Sequence, residues 1–174
     1  VHDTILDRQQ ETATRLIGGS LGSVTSASGL QFLLRRATAD CLDLVNRFHR
    51  QDCSLESRAA RYHVPRDRIR VAEWRMLTRA EGGYTVLISR PGQNDLVGLA
   101  HLLWQASAPP EVALLIADAW QGLGVGRAVG GRLRELAAAH GHPVLGACVR
   151  PQNIRAIRLA RRFGLELDDS ADQV

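Results

Sequence analysis

The sequence predicts an α/β domain, on three observations. From Leu30 onward, short strand-like apolar runs alternate with segments whose apolar residues recur every three or four positions. One run, EVALLIAD (111–118), leads directly into a glycine-rich turn, WQGLGVGR (120–127), and then into a helical pattern. The length, 174 residues, suits one hydrophobic core and is short for two.

Residues 1–29 read as an N-terminal arm or linker, and residues 30–174 as the domain. Ile5, Leu6, Ala13, Leu16 and Ile17 fit one face of a short helix that Gly18-Gly19 would end. Leu16 to Leu34 carries no charge, but its glycines and serines read as a linker and not as a membrane span. LQFLLRRA (30–37) predicts a strand. Thr38 would cap a helix running to about Arg50, with Leu42, Val45 and Phe48 on one face. Residues 54–64 predict a short helix or an irregular segment. Pro65 to Arg79 predict another, with Ile69, Ala72, Met76 and Leu77 inward. GYTVLIS (83–89), the turn PGQND and LVGLAHLLW (96–104) predict a hairpin. Pro109-Pro110 breaks the chain before the strand at 111–117. Val125, Val129, Leu133, Leu136 and His140 share a helical face, closed by Gly141. PVLGACV (143–149) predicts a strand, Pro151 and Asn153 introduce a last helix, and LELDD begins a final strand.

Composition excludes several functions. All 22 basic residues are arginine, so neither a phosphate-loop lysine nor a Schiff-base lysine exists. The net charge of +4 suits an anionic ligand, an acidic partner or simple solubility. With 5% aromatics and no basic run interleaved with them, nucleic acid is not expected as a partner. Cys41, Cys53 and Cys148 are odd in number and widely spaced, which predicts no disulfide framework and no metal. No signal-peptide pattern or membrane span is read, so a cytoplasmic protein is expected.

The turn at 120–127 carries the functional signal. A helix N-terminus has backbone N–H groups without internal partners, and glycines let an anion approach them. Arg127 in the first turn is unfavourable by about 0.3–1 kcal/mol unless an anion lies beside it. The dinucleotide pattern GxGxxG fails, because Arg127 stands where its last glycine belongs. The pattern [RQ]xxGx[GA] is met by Gln121-Gly122-Leu123-Gly124-Val125-Gly126.

This loop, with a strand before it, a long helix and a strand after it, Asn153, and Phe163-Gly164-Leu165, resembles the GNAT superfamily of N-acetyltransferases over about residues 30–167. SLESRAARYHVPR (54–66) and residues 110–127 look most like the bacterial protein-acetyltransferase branch, the Pat-like GNAT domains. The resemblance implies a central, twisted, mixed and mostly antiparallel sheet flanked by helices. It also implies a V-shaped splay between the strands at about 111–117 and 143–149. Acetyl-CoA is the implied acyl donor. Its implied contacts are Leu115, Ile116 and Ala117 in the splay, Gln121, Gly122, Leu123, Gly124, Val125, Gly126 and Arg127 in the loop, and Asn153. Arg155, Arg158, Arg161 and Arg162 read as a solvated face, a contact for the 3′-phosphate or a contact for an acidic protein surface.

Acetyl transfer to an amine needs a base, because an alkyl ammonium with a pKa of ~10.4 cannot attack a thioester. The resemblance assigns that role to Glu111. Many family members carry a tyrosine three residues before the Phe-Gly pair as acid; here the position is Ala160. His101, alone in an apolar strand, reads as a core residue before a second base. The expected acceptor is a protein lysine, with a small amine as the alternative. A non-catalytic acetyl-CoA-binding regulatory module is the reading from another class. The family usually ends in a strand hairpin, and here its final strand is expected to be missing or supplied by another element. Residues 1–29 or a second copy, forming a homodimer, could cover the edge left open.

Overall fold

A computed structural model describes residues 18–168. Seven strands form one sheet in chain order: β1 (Ser20–Thr25), β2 (Gln31–Arg36), β3 (Gly83–Ser89), β4 (Leu96–Leu103), β5 (Glu111–Ile116), β6 (Gly146–Cys148) and β7 (Glu166–Asp168). β1 to β5 pair antiparallel, whereas β6 and β7 add in parallel. Between β2 and β3 lie a 3₁₀ turn (Ala39–Cys41) and three helices: α1 (Leu42–Asp52), α2 (Leu55–Tyr62) and α3 (Val71–Leu77). Helix α4 (Val125–Ala139) connects β5 to β6, and α5 (Ile154–Arg162) connects β6 to β7. A parallel pair needs such a crossover, while the antiparallel β3–β4 pair closes through a short turn.

The sheet is buried on both faces. Phe32, Leu34, Val86, Ile88, Ala100 and Leu102 meet Val125, Val129 and Leu133 of α4. On the opposite face, Leu87, Leu99 and Leu115 meet Val45 and Phe48 of α1 and Trp74 of α3. Residues alternate between the two cores because successive strand side chains point to opposite faces. Glu111 and His101 therefore belong to the α1–α3 side.

Three expectations change and one is not reached. Part of the expected linker is β1: Leu21 and Val24 pack into the α4 core although they are three residues apart. A register shift between Ser20 and Ser23 brings both to one face, and such a bulge breaks the two-residue period that identifies a strand. The arm helix expected within 1–17 lies outside the described residues. The helix expected from Pro65 begins at Val71, because the Asn46 side chain pairs with both backbone groups of Ile69 at 2.7 and 3.1 Å. In that shorter helix Trp74 points inward and Met76 outward, 68% exposed. The strand at 143–149 is confined to Gly146–Cys148, and Glu166–Asp168 lies beside it.

Candidate active site

The loop after β5 is built for an anion. Asp118–Trp120 form a 3₁₀ turn, and Gln121 returns to extended backbone. Gly122 and Gly124 then take φ of 79° and 82°, left-handed values that a side chain would disfavour. Gly124 caps α4 without a side-chain hydrogen bond, and the first helical turn contains no acidic residue. The only charge there is the exposed Arg127. Leu123 is exposed, and its carbonyl accepts a 3.3 Å bond from the Ser28 hydroxyl. Val125 is fully in the core, which leaves its backbone as the group facing the loop. Gly126 lets β5 and α5 come close: a Cβ there would lie 3.3 Å from both Leu114 and Leu159 side chains.

A polar brace holds this loop. The Gln121 amide donates to the Ile116 carbonyl and the Ser57 hydroxyl, each at 3.0 Å, and to Asp118 at 3.2 Å. Its oxygen accepts from Arg155 at 2.8 Å. Ser57 donates to Asp118 at 2.6 Å, and the Ser54 N–H donates to the same carboxylate at 2.9 Å. Burial alone would raise the Asp118 pKa; bonds from Ser57 and Ser54, with the Arg58 charge, outweigh it and hold the carboxyl below its usual range. Gln121 thus acts through its side chain as a tie between β5, α2 and α5.

β5 and β6 pair at Glu111 and Gly146, where the Gly146 N–H donates to the Pro110 carbonyl at 2.9 Å. No β6 residue is paired with Leu114. Ala117 N–H donates to Val97 of β4 at 2.9 Å, so strand alternation turns the odd-numbered amides of β5 toward β4 and the even-numbered ones toward the gap. Of the expected lining residues, Ile116 presents its backbone to the gap. Leu115 and Ala117 do not: their amides face β4 and their side chains lie in the α1–α3 core. Leu114 joins Ile116 there, and strand alternation applied to 111–117 was the signal that could have found it.

The last turn of α2 spans this fork. Helix α2 packs over β5, and His63, just beyond it, puts Nδ1 3.9 Å from the Cys148 sulfur on β6. Arg61 lies against the Tyr62 ring at 4.8 Å, and Arg66 lies against the same ring at 5.0 Å. Tyr62 OH donates to His49 Nε2 at 2.5 Å, since His49 Nδ1–H bonds the Val45 carbonyl. Burial pushes the Tyr62 hydroxyl up to about 12. Glu111 accepts a 3.3 Å bond from the Gln105 amide.

Asn153 caps α5, its oxygen accepting from Ala156 N–H at 3.1 Å. Ala160 is buried and has no proton to give. His101 is buried, its Nδ1 3.0 Å from the Thr85 hydroxyl. Thr85 donates to the Leu77 carbonyl, so His101 Nδ1 carries the proton and the buried Nε2 has no partner among the described residues. Sequence reasoning did not find Ser57, Asp118 or Arg61, because their roles depend on α2 lying across β5.

Together these features fit a diphosphate-linked thioester: an uncapped helix end without carboxylates, glycine backbone in the left-handed region, and an open strand edge leading to Glu111. Known proteins agree. Residues 31–166 match the family described as acetyltransferase (GNAT) domain. No curated protein matches the sequence. The fold is similar to the GNAT domain of S. lividans PAT, with a TM-score of 0.70 and 23% identity over 82% of this chain and 86% of that one. A cAMP-binding acyltransferase variant from Mycobacterium smegmatis aligns at TM-score 0.57 and 17% identity, over 92% of this chain and 48% of that protein. A ribosomal-protein-serine acetyltransferase from Vibrio cholerae aligns at TM-score 0.53 and 19% identity, over 76% and 78% of the two chains. The chain belongs to the GNAT acetyltransferase family and is an acetyltransferase that uses acetyl-CoA as its acyl donor.

Proposed function

We propose that the protein transfers acetyl groups to the amine of protein lysine, with Glu111 as general base. The observation that carries this is the location of Glu111 where β5 and β6 part. Bound acetyl-CoA supplies a thioester carbonyl. The Gly122–Arg127 backbone and Arg127 would hold its diphosphate, and the open edge at Leu114 and Ile116 would bind the amides of its arm. Glu111 removes a proton from the acceptor ammonium, directly or through water, so that the free amine can attack. The C–N bond forms as the C–S bond breaks. A thiol with a pKa near ~8.5 leaves without a strong acid, which suits Ala160 in place of a donor. Lysine as acceptor is supported by the likeness of residues 54–66 and 110–127 to Pat-like domains.

The test is mass spectrometry after incubation with acetyl-CoA and either a lysine-bearing protein extract or a panel of small amines, with E111Q as control. Because this chain has no lysine, lysine self-acetylation gives no background. Acetyl-lysine peptides that vanish with E111Q are the expected result. Acetylated small amines alone would replace the acceptor, and equal activity in E111Q would remove the base.

A further inference from the structure

The three free cysteines of this protein stand in different surroundings. Cys41 and Cys53 are buried, and burial pushes the Cys53 thiol up to about 12. Cys148 is half-buried on β6, and its sulfur lies 3.9 Å from His63 Nδ1. His63 ends α2 with φ of 62°, the only left-handed residue other than glycine among the described residues. Glycine usually takes such a position at a helix end. Here the position carries an imidazole turned onto β6.

The register places this pair in the fork. Glu111 and Gly146 are partners where β5 and β6 join. Leu145 packs into the α4 core, so alternation turns Gly146 and Cys148 to the opposite face, which is the face of Glu111. The contact with His63 agrees, because α2 packs on β5 and its Tyr62 joins the core of that face. Cys148 is two residues beyond Gly146, about 6.6 Å along the strand. The two strands are parallel and β5 runs toward the glycine loop, so Cys148 stands between that loop and the level of Glu111. A thioester whose diphosphate is held at Gly122–Arg127, and whose arm follows the open edge at Leu114 and Ile116, meets the level of Cys148 before that of Glu111.

We propose that Cys148 is a nucleophile that carries the acetyl group from acetyl-CoA to the amine, with His63 as its base. This rests on the acetyl-CoA site read above, and Glu111 keeps its proposed role in the second transfer. A sulfur and an imidazole nitrogen within hydrogen-bond reach are what activation of a thiol requires. His63 takes the Cys148 proton, the sulfur bonds the acetyl carbon, and the C–S bond to CoA breaks. The same proton passes from His63 to the CoA sulfur, a role for which Ala160 has no group. One thioester replaces another, so the step needs no co-reactant. Glu111 then takes a proton from the acceptor ammonium, and the free amine bonds the acetyl carbon as the C–S bond to Cys148 breaks. A further proton leaves that nitrogen through His63 for the Cys148 sulfur, and Glu111 gives its own to water.

The experiment incubates the purified protein with acetyl-CoA and no acceptor, then maps acetyl groups by intact and peptide mass spectrometry. One acetyl group on Cys148 is expected, in the wild type and in E111Q alike, and none on Cys41 or Cys53. Isotopically labelled CoA should exchange into acetyl-CoA without any acceptor. Adding a lysine-bearing protein extract or the amine panel should discharge the acetyl group at least as fast as steady-state turnover, and E111Q should slow that discharge. C148A should lose both the acetyl group and the exchange while still binding CoA. H63N, whose asparagine tolerates the left-handed turn, should slow acetylation of Cys148 by about 10²- to 10⁴-fold. The wild-type measurements stand even if a variant folds poorly. No acetyl group on Cys148 and no exchange would overturn the proposal; lysine acetylation that still depends on Glu111 would then leave that base in place. An acetyl group that no acceptor discharges, or full activity in C148A, would overturn it as well. Discharge in E111Q at the wild-type rate would remove Glu111 and leave Cys148 as the nucleophile.

Discussion

Glu111 and Gly146 are register partners at the position where β5 joins β6, and beyond that position the edge of β5 carries no β6 partner. A carboxylate at this junction borders the gap without lying in the helix-packed core. Replacing it with glutamine preserves shape and removes the proposed base. E111Q should lower kcat by about 10²- to 10⁴-fold near neutral pH, with little change in the KM for acetyl-CoA. Its rate should recover as pH rises toward the ~10.4 of an alkyl ammonium, because the acceptor then deprotonates unaided. A pH–rate profile of mutant and wild type checks this; a constant ratio at every pH would exclude the role.

The left-handed glycines predict a binding defect. At Gly124, with φ of 82°, a Cβ would lie 3.5 Å from Ser26 Cβ, an ordinary contact, so the cost of G124A is mainly conformational. That cost is about 1–2 kcal/mol. G124A should weaken CoA binding several-fold and lower the melting temperature by a few degrees. Pantetheine, which lacks the diphosphate, should bind both proteins alike. Calorimetric titration with the two ligands separates a loop effect from general destabilisation.

The brace around Asp118 predicts a change in loop order. In D118N one carboxylate oxygen becomes a donor facing Ser57 or the Ser54 N–H. Loss of about 1 kcal/mol at this exposed site corresponds to roughly a fivefold weaker CoA affinity. Amides in 118–124 should exchange hydrogen faster, while those of β3 and β4 stay protected. The Asp118 pKa is depressed from 3.8, so the contribution of its brace is present above that value and fades as pH falls through the lower folded one.

What was legible in the sequence divides along physical lines. The loop, α4 and the β3–β4 hairpin depend on local signals: glycines at fixed offsets, a helical apolar stripe and turn residues between apolar runs. Three other features depend on the tertiary structure. β1 is hidden by a bulge that shifts Leu21 and Val24 out of strand period. The start of α3 is delayed because Asn46, 23 residues earlier than Ile69, binds that residue's backbone. The polar ring of Ser57, Asp118, Gln121 and Arg155 joins three elements that no local pattern links.

The buried histidines predict acid sensitivity. His101 is held well below 6.5, by burial first and then by the charges of Arg61 and His49. His49 is also lowered from 6.5: burial outweighs its bond to Val45, and Arg58, Arg61 and Arg66 add to the shift. Both therefore remain neutral in the folded protein at pH values where the unfolded chain takes up protons. Above 6.5 neither state gains a proton and stability is flat with respect to these groups. Below 6.5 the unfolded chain binds more protons, so stability falls as pH drops, by up to about 1.4 kcal/mol per pH unit for each histidine. The fall ends only when the folded state itself protonates. Denaturant unfolding between pH 7 and 5 measures the slope. H101M, which keeps an apolar side chain of similar size between β3 and β5, should remove about half of it, and an unchanged slope in H101M would show that His101 is not neutral in the fold.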